Sequence, residues 1–186
     1  MTGANTEKQK LILGSAGVKD PAAITLDIDP AHNPDVVYNL NSVPWPFRDN
    51  QFKSIICHHV LEHLNDISGP MRELHRICSG DGEVYIEVPH HTSWCANTPE
   101  HKLRFNYFAL EGYLEGGIAK WVTGSSKFRL IERKVTFHRA FRRYLLHKIF
   151  NRFPLWYERF WAYMFPAENV IFRFQPLKYA QKLSTK

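Results

Sequence analysis

The order of short apolar runs along the first ninety residues constrains this chain more than any other feature. Ile55-Ile56-Cys57 and Val84 to Val88 are runs of three to five residues, rich in β-branched side chains. Such runs read as buried strands. Between them, residues 66–78 carry Ile67, Met71, Leu74, Ile77 and Cys78 on one helical stripe. Asp66 is placed to cap that helix, and Gly80 and Gly82 to stop it. Strand, helix, strand is a crossover unit, and a crossover of that kind joins parallel strands. Three earlier runs read the same way: Leu11-Ile12-Leu13 ends in Gly14, Ile24 to Ile28 in an Asp-Pro turn, and Val36-Val37-Tyr38 at Asn39. The expectation is an α/β fold with a mostly parallel sheet.

The second half of the chain has a different texture. Residues 107–120 can form a helix despite Gly112, Gly116 and Gly117, and Phe128 to Phe137 and Val170 to Phe174 read as strands. Residues 138–166, between those strands, hold ten aromatics and six Lys+Arg against one acid, Glu158. The 186 residues favour a single domain, with residues 11–89 as the core and 138–166 as an insert. Residues 1–101 carry 7 basic and 13 acidic side chains, whereas residues 102–186 carry 17 and 5. That asymmetry points the C-terminal half towards an anionic partner.

Cys57, Cys78 and Cys95 form no CxxC pair, which fits a reducing compartment and gives no thiolate zinc site. The first ten residues lack the apolar stretch of a signal peptide, and no run of 18 apolar residues occurs. A cytoplasmic protein is expected, peripheral at the inner face of the membrane if the insert binds lipid.

Chemistry is suggested first by Gly14-Ser15-Ala16-Gly17, followed by Asp27 and Asp29. A glycine turn after a parallel strand lets backbone approach a ligand, and an acid at the end of the next strand can hold ribose hydroxyls. Further on, Pro46-Phe47, Asp49-Asn50, Phe52, His59-Val60-Leu61-Glu62-His63-Leu64 and Gly80-Asp81-Gly82 through Pro89 occur in register. From about Leu11 to Pro89 the chain resembles the class I S-adenosylmethionine-dependent methyltransferases, specifically their small-molecule branch. The resemblance implies a Rossmann-like, seven-stranded sheet whose last strand is antiparallel, with a helical insertion before that strand. It also implies S-adenosylmethionine as cofactor. Gly14, Ser15 and Gly17 would cradle its methionine part. Asp27 would hold the ribose, with Asp29 as a second candidate. Asn39 and Leu40 would lie against the adenine, and His58 and His59 beside the methyl donor. Three departures stand out. Ala16 replaces a glycine, Asn39 replaces an aspartate, and residues 15–23 are too few for the usual first helix. A more open pocket follows.

Methyl transfer to a hydroxyl needs a base, and an imidazole suits that task near neutral pH. His90, His91 and His59 are the candidates, His90 and His91 because they leave the fifth strand at the ligand-binding edge. The acceptor class is a small molecule, a glycan or a lipid-linked molecule. His59-Val60-Leu61-Glu62-His63 also fits the HxxEH pattern of zinc peptidases, with Glu132 or Glu158 as a third ligand. The methyltransferase pattern explains the same residues whole, so no metal is expected. In the insert, Phe141, Leu145 and Ile149 recur at helical spacing with Arg139, Arg142 and Arg143 off that stripe. A second helix begins at Pro154 with two ridges, Trp156-Phe160-Met164 and Tyr157-Trp161-Phe165. The pair either caps the sheet or meets an anionic membrane or a lipid-linked acceptor. Nucleic acid ranks behind these, and a non-catalytic module binding membrane or RNA through the insert is the alternative to an enzyme.

Overall fold

A computed structural model describes residues 8–117, 126–142 and 144–178. Its strands are β1 (Lys10–Leu13), β2 (Ala23–Asp27), β3 (Val36–Val37), β4 (Phe52–His58), β5 (Cys78–Pro89), β6 (Phe128–Val135) and β7 (Asn169–Pro176). They form one sheet in the order β3-β2-β1-β4-β5-β7-β6. The pairs from β3 through β5 are parallel, and β7 runs antiparallel to both neighbours. All seven expected strands are present, and the sheet is the Rossmann-like one anticipated.

The helix between β4 and β5, α1 (Ser68–Ile77), buries Met71, Leu74 and Ile77 against Leu11, Leu13, Ile55 and Val84. Asp66 does cap it: Oδ1 accepts from Ser68 N at 2.6 Å and Oδ2 from Gly69 N at 3.1 Å. Near the other end, Arg76 donates to both oxygens of Glu73, to Asp49 and to the carbonyls of Phe47 and Trp45. Glu73 in turn accepts from Trp45 N. One guanidinium thus pins the Trp45–Asp49 segment that leads into β4, using the planar fork that only arginine has.

Handedness explains which sheet face is covered. Right-handed crossovers that run in opposite directions from β1 lie on opposite faces. The β4-to-β5 crossover carries α1, but the β1-to-β2 connection is only residues 14–22, and β2 reaches β3 through a single 3₁₀ turn, Pro30–His32. Neither of these two connections contains an α-helix. The short crossover is braced by Lys10 Nζ on Asp20 at 2.7 Å and by Ser15 N on the Leu26 carbonyl at 3.1 Å. The face that such helices would cover presents Ser54, Ile56 and His58 from β4 and Glu83, Tyr85 and Glu87 from β5, all partly or fully exposed. Polar groups on it pair with one another: Arg173 with Glu83 and Glu132, Tyr85 with Glu87, Asn169 with Glu87. A network of ion pairs and hydrogen bonds takes the place of helical cover. The alternation in β4 and β5 is the sequence signature of a sheet solvated on one face.

Two expectations are corrected. Residues 107–117 do not form a helix but a series of turns with one 3₁₀ turn, Glu111–Tyr113; residues 118–120 lie outside the described residues. Gly116 sits at φ +70°, and a Cβ on Gly117 would come 2.0 Å from the Glu111 carbonyl oxygen, so this backbone path leaves the helical region. Leu114 bridges to Phe128 instead. Within the insert, the Phe141-Leu145-Ile149 stripe is not one helix. α2 (Arg139–Arg142) and α3 (Leu146–Arg152) are separated at Leu145, which has φ +57°. The second piece begins at Pro154 as expected, as α4 (Pro154–Trp156), and continues as a π-helical turn, Tyr157–Trp161. Arg143 lies outside the described residues.

Candidate cofactor site

Gly14 ends β1 beside the loop that follows β4. Its φ is +62°, and a Cβ there would lie 2.3 Å from Val60 Cγ2. Only glycine lets these two loops approach so closely. Ala16 and Gly17 also have positive φ, +45° and +83°. The loop therefore curls tightly and turns its amide groups towards β2. There Asp27, buried at the end of the strand, accepts from Ala16 N at 2.7 Å and from Asp29 N at 3.0 Å. His32 Nδ1 lies 3.2 Å from its Oδ2. Burial pushes the Asp27 carboxyl up, but the Asp29 and Ala16 amides and His32 outweigh it and hold the group below the ordinary carboxylate range.

Two clefts flank this loop. One, of about 400 Å³, is lined by Gly14, Asp27, His32, Asn39, Leu40 and His59, among others, with Lys102 also in the lining. The second, of about 620 Å³, lies over Ile12 and Ile56 on the face without helices and includes Ser15 and His58. His59 lines both. Its backbone is left-handed, φ +54°, which swings the ring out of the strand direction. Nδ1 meets Glu62 Oε1 at 3.1 Å. That bond, despite burial, raises the His59 pKa above its ordinary value.

Residues 20–86 match the family model described as a methyltransferase domain. A search of curated proteins finds no match. Among solved structures, a SAM-dependent methyltransferase from Archaeoglobus fulgidus superposes with a TM-score of 0.57 at 15% identity, over 89% of this chain and 85% of that one. An S-adenosylmethionine-dependent methyltransferase from Mesorhizobium loti gives 0.53 at 9% identity, over 90% of each. Phosphoethanolamine N-methyltransferase 2 of Haemonchus contortus, solved with S-adenosyl-L-methionine, gives 0.50 at 14% identity, over 92% of this chain and 48% of that one. Residues 20–86 thus look like a methyltransferase domain, and the sheet as a whole has the fold of S-adenosylmethionine-dependent methyltransferases.

The residues at these clefts fit S-adenosylmethionine as cofactor. Gly14 has no room for a side chain, and a buried carboxylate stands at the cleft wall. The Ser15 hydroxyl is buried without a partner. Of the residues expected to bind cofactor, Gly14, Asp27, Asn39 and Leu40 line the first cleft, and Ser15 and His58 the second. Gly17 lines neither and serves the turn. Asp29 is exposed and caps the Pro30–His32 turn through Ala31 N at 2.8 Å. Asn39 Oδ1 already accepts from Asn41 N at 3.0 Å and its carbonyl from Ser42 N at 2.9 Å, so the side-chain NH₂ is its freer group. His32 and Asn41 escaped sequence reasoning, because only folding brings these loops to the cleft.

The histidines separate sharply. His90 is 0% exposed and both ring nitrogens are engaged. Thr92 N donates to Nδ1, so Nε2 carries the proton and donates to Glu158 Oε1 at 3.0 Å. Glu158 also accepts from Tyr107 N at 2.7 Å. His90 is thus a strut that ties the insert to the end of β5, with no nitrogen left for a substrate. His91 stacks on Tyr163 and lines neither cleft; burial and its neighbour His90 lower its pKa. The HxxEH residues do not converge either. Only Leu61–His63 form a 3₁₀ turn, and the two histidines fall in separate groups, His59 with His58 and Glu87 and His63 with Glu62 and His101. Glu132 pairs with Lys134 and Arg173, and Glu158 with His90.

Proposed function

We propose that this methyltransferase transfers a methyl group to a hydroxyl of a small-molecule, glycan or lipid-linked acceptor, with His59 as the base. The carrying observation is the His59–Glu62 pair at the junction of both clefts. When bound, S-adenosylmethionine supplies a methyl on a sulfonium sulfur, which leaves as a neutral thioether as the acceptor oxygen bonds to carbon. The chain's own work is to bind and orient. After its two backbone bonds and the approach of His32, Asp27 keeps a lone-pair position for a ribose hydroxyl. Glu62 holds His59 by Nδ1, which leaves Nε2 to take the acceptor's hydroxyl proton. Because Glu62 raises the His59 pKa, the free base forms only above the ordinary imidazole range, and the rate should climb with pH through that raised value.

Calorimetry with S-adenosylmethionine, followed by labelled-methyl transfer into soluble and lipid-linked glycan fractions, tests the reading. Asp27→Ala should abolish the heat. His59→Gln should keep the heat and lose transfer to hydroxyls. Label that appears only on amines or as base-labile esters would refute the acceptor class, and full activity in His59→Gln would refute the base.

A further inference from the structure

The insert divides its aromatics between two environments. Tyr157 is fully buried, packed on Phe137 and Phe150 with its hydroxyl donating to the Phe165 carbonyl, and Trp161 and Phe165 follow it inward. This ridge already satisfies the core. The other ridge faces away: Trp156, Phe160 and Tyr163 are 44%, 62% and 86% exposed, with Leu155 and Met164 exposed beside them. Folding does not need these side chains in water, and clustered exposure of this kind marks an interaction surface.

We propose that this outer ridge is a docking surface for an anionic lipid bilayer. The charge pattern selects the partner. Glu158, the one acid in residues 138–166, is turned inward onto His90 and Tyr107. Arg139, Lys148, Arg152 and Arg159 are exposed, so the charge of the described insert surface is purely positive. Arg152 stacks on Phe153 and Arg159 on Phe160, at 5.3 and 5.5 Å from the ring centroids. Aromatic rings with basic groups at their side suit the headgroup zone, where the ring enters the interface and the cation meets phosphate. Single-stranded RNA also accepts aromatics and arginine, but exposed Leu155, Met164 and Ile149 offer it nothing, whereas acyl chains bury them. The His90–Glu158 strut fixes this surface to the carboxyl end of β5, beside the end of β4 where His59 lines both clefts. A docked bilayer therefore lies along that end of the sheet. The inference is independent of the acceptor reading, since vesicle binding is measured without cofactor.

The test is co-sedimentation of the full-length protein with phosphatidylcholine vesicles, with and without about one-third phosphatidylserine. Binding should need the anionic lipid and weaken as salt rises. Arg152→Gln with Arg159→Gln should lower partitioning about thirtyfold, roughly fivefold per charge. Trp156→Ser with Phe160→Ser should lower it at least about tenfold with an unchanged melting curve. Val37→Ser, an exposed apolar residue on the far sheet edge, should leave it unchanged. No binding to anionic vesicles, or full binding by the Trp156→Ser/Phe160→Ser variant, overturns the proposal. So does insert-dependent binding of oligo-U RNA, or a dimer dissolved by the same variant, when vesicles are ignored.

Discussion

Replacing Gly14 by alanine probes the point where backbone conformation, packing and the cofactor site meet. The residue sits at φ +62°, and its new Cβ would lie 2.3 Å from Val60 Cγ2. A left-handed backbone costs an L-residue about 1–2 kcal/mol. Forcing Val60 aside adds an overpacking penalty of about 1–3 kcal/mol. Gly14→Ala should therefore destabilise by about 2–5 kcal/mol, against the roughly 5–15 kcal/mol by which domains are stable. The two parts can be separated. Val60→Ala removes the clashing methyl and leaves the Val60 Cβ at 3.6 Å, an ordinary contact. Alone it should cost about 1.5–3 kcal/mol, since Val60 is buried. In combination the clash disappears but the backbone penalty stays, so the double variant should be more stable than the sum of the singles by about 1–3 kcal/mol. Urea titration of the four proteins with a common m-value measures that coupling. Additivity within about 0.5 kcal/mol, or a Gly14→Ala cost below about 1 kcal/mol, would refute the close approach of these two loops.

Other outcomes follow from the same structure. Glu158→Ala leaves the buried His90 Nε2–H and Tyr107 N–H without an acceptor and should cost about 3 kcal/mol, read by thermal or urea unfolding. Burial opposes ionisation of Glu158, yet the His90 hydrogen bond and the Tyr107 amide outweigh it and hold its pKa below the ordinary carboxylate value. In the window between the two pKa values the unfolded state binds the extra proton. The stabilisation is thus complete above about pH 4.5 and lost as pH falls through the lower folded value, a slope that Glu158→Ala should lack. Arg76→Lys keeps the charge but loses the fork onto Glu73, Trp45 and Phe47, and should cost about 2 kcal/mol in the same assay. Ala16, exposed at φ +45°, should accept glycine with a gain of up to about 1 kcal/mol, because relief of the left-handed strain exceeds the added chain entropy.

Much of the fold was legible because it is written locally. Each strand is a short apolar run with a turn residue at its end, and α1 has its stripe and its Asp66 cap. The cleft residues at strand ends were legible for the same reason: a glycine after β1 and an acid closing β2 stand at recognisable strands. The failures were places where non-local contacts decide. Residues 107–117 have helical spacing, but the close approach of Gly117 to the Glu111 carbonyl and the Leu114 bridge to Phe128 set another path. Leu145 interrupts a stripe that continues on paper.

The sequence by itself determined the parallel order, the glycine loop with its acid, and the basic aromatic character of residues 138–166, since period, turn chemistry and composition are properties of neighbouring residues. Tertiary structure alone decided what the histidines do. His90 and His91, which follow β5, have the same chemistry as His58 and His59 at the end of the neighbouring β4. Yet Glu158, sixty-eight residues beyond His90, turns His90 into a buried strut, while the left-handed turn after β4 presents His59 to both clefts. It also decided which aromatic ridge meets the core and which meets solvent. Side chains of equal hydrophobicity cannot encode that choice until the partner face of the sheet exists.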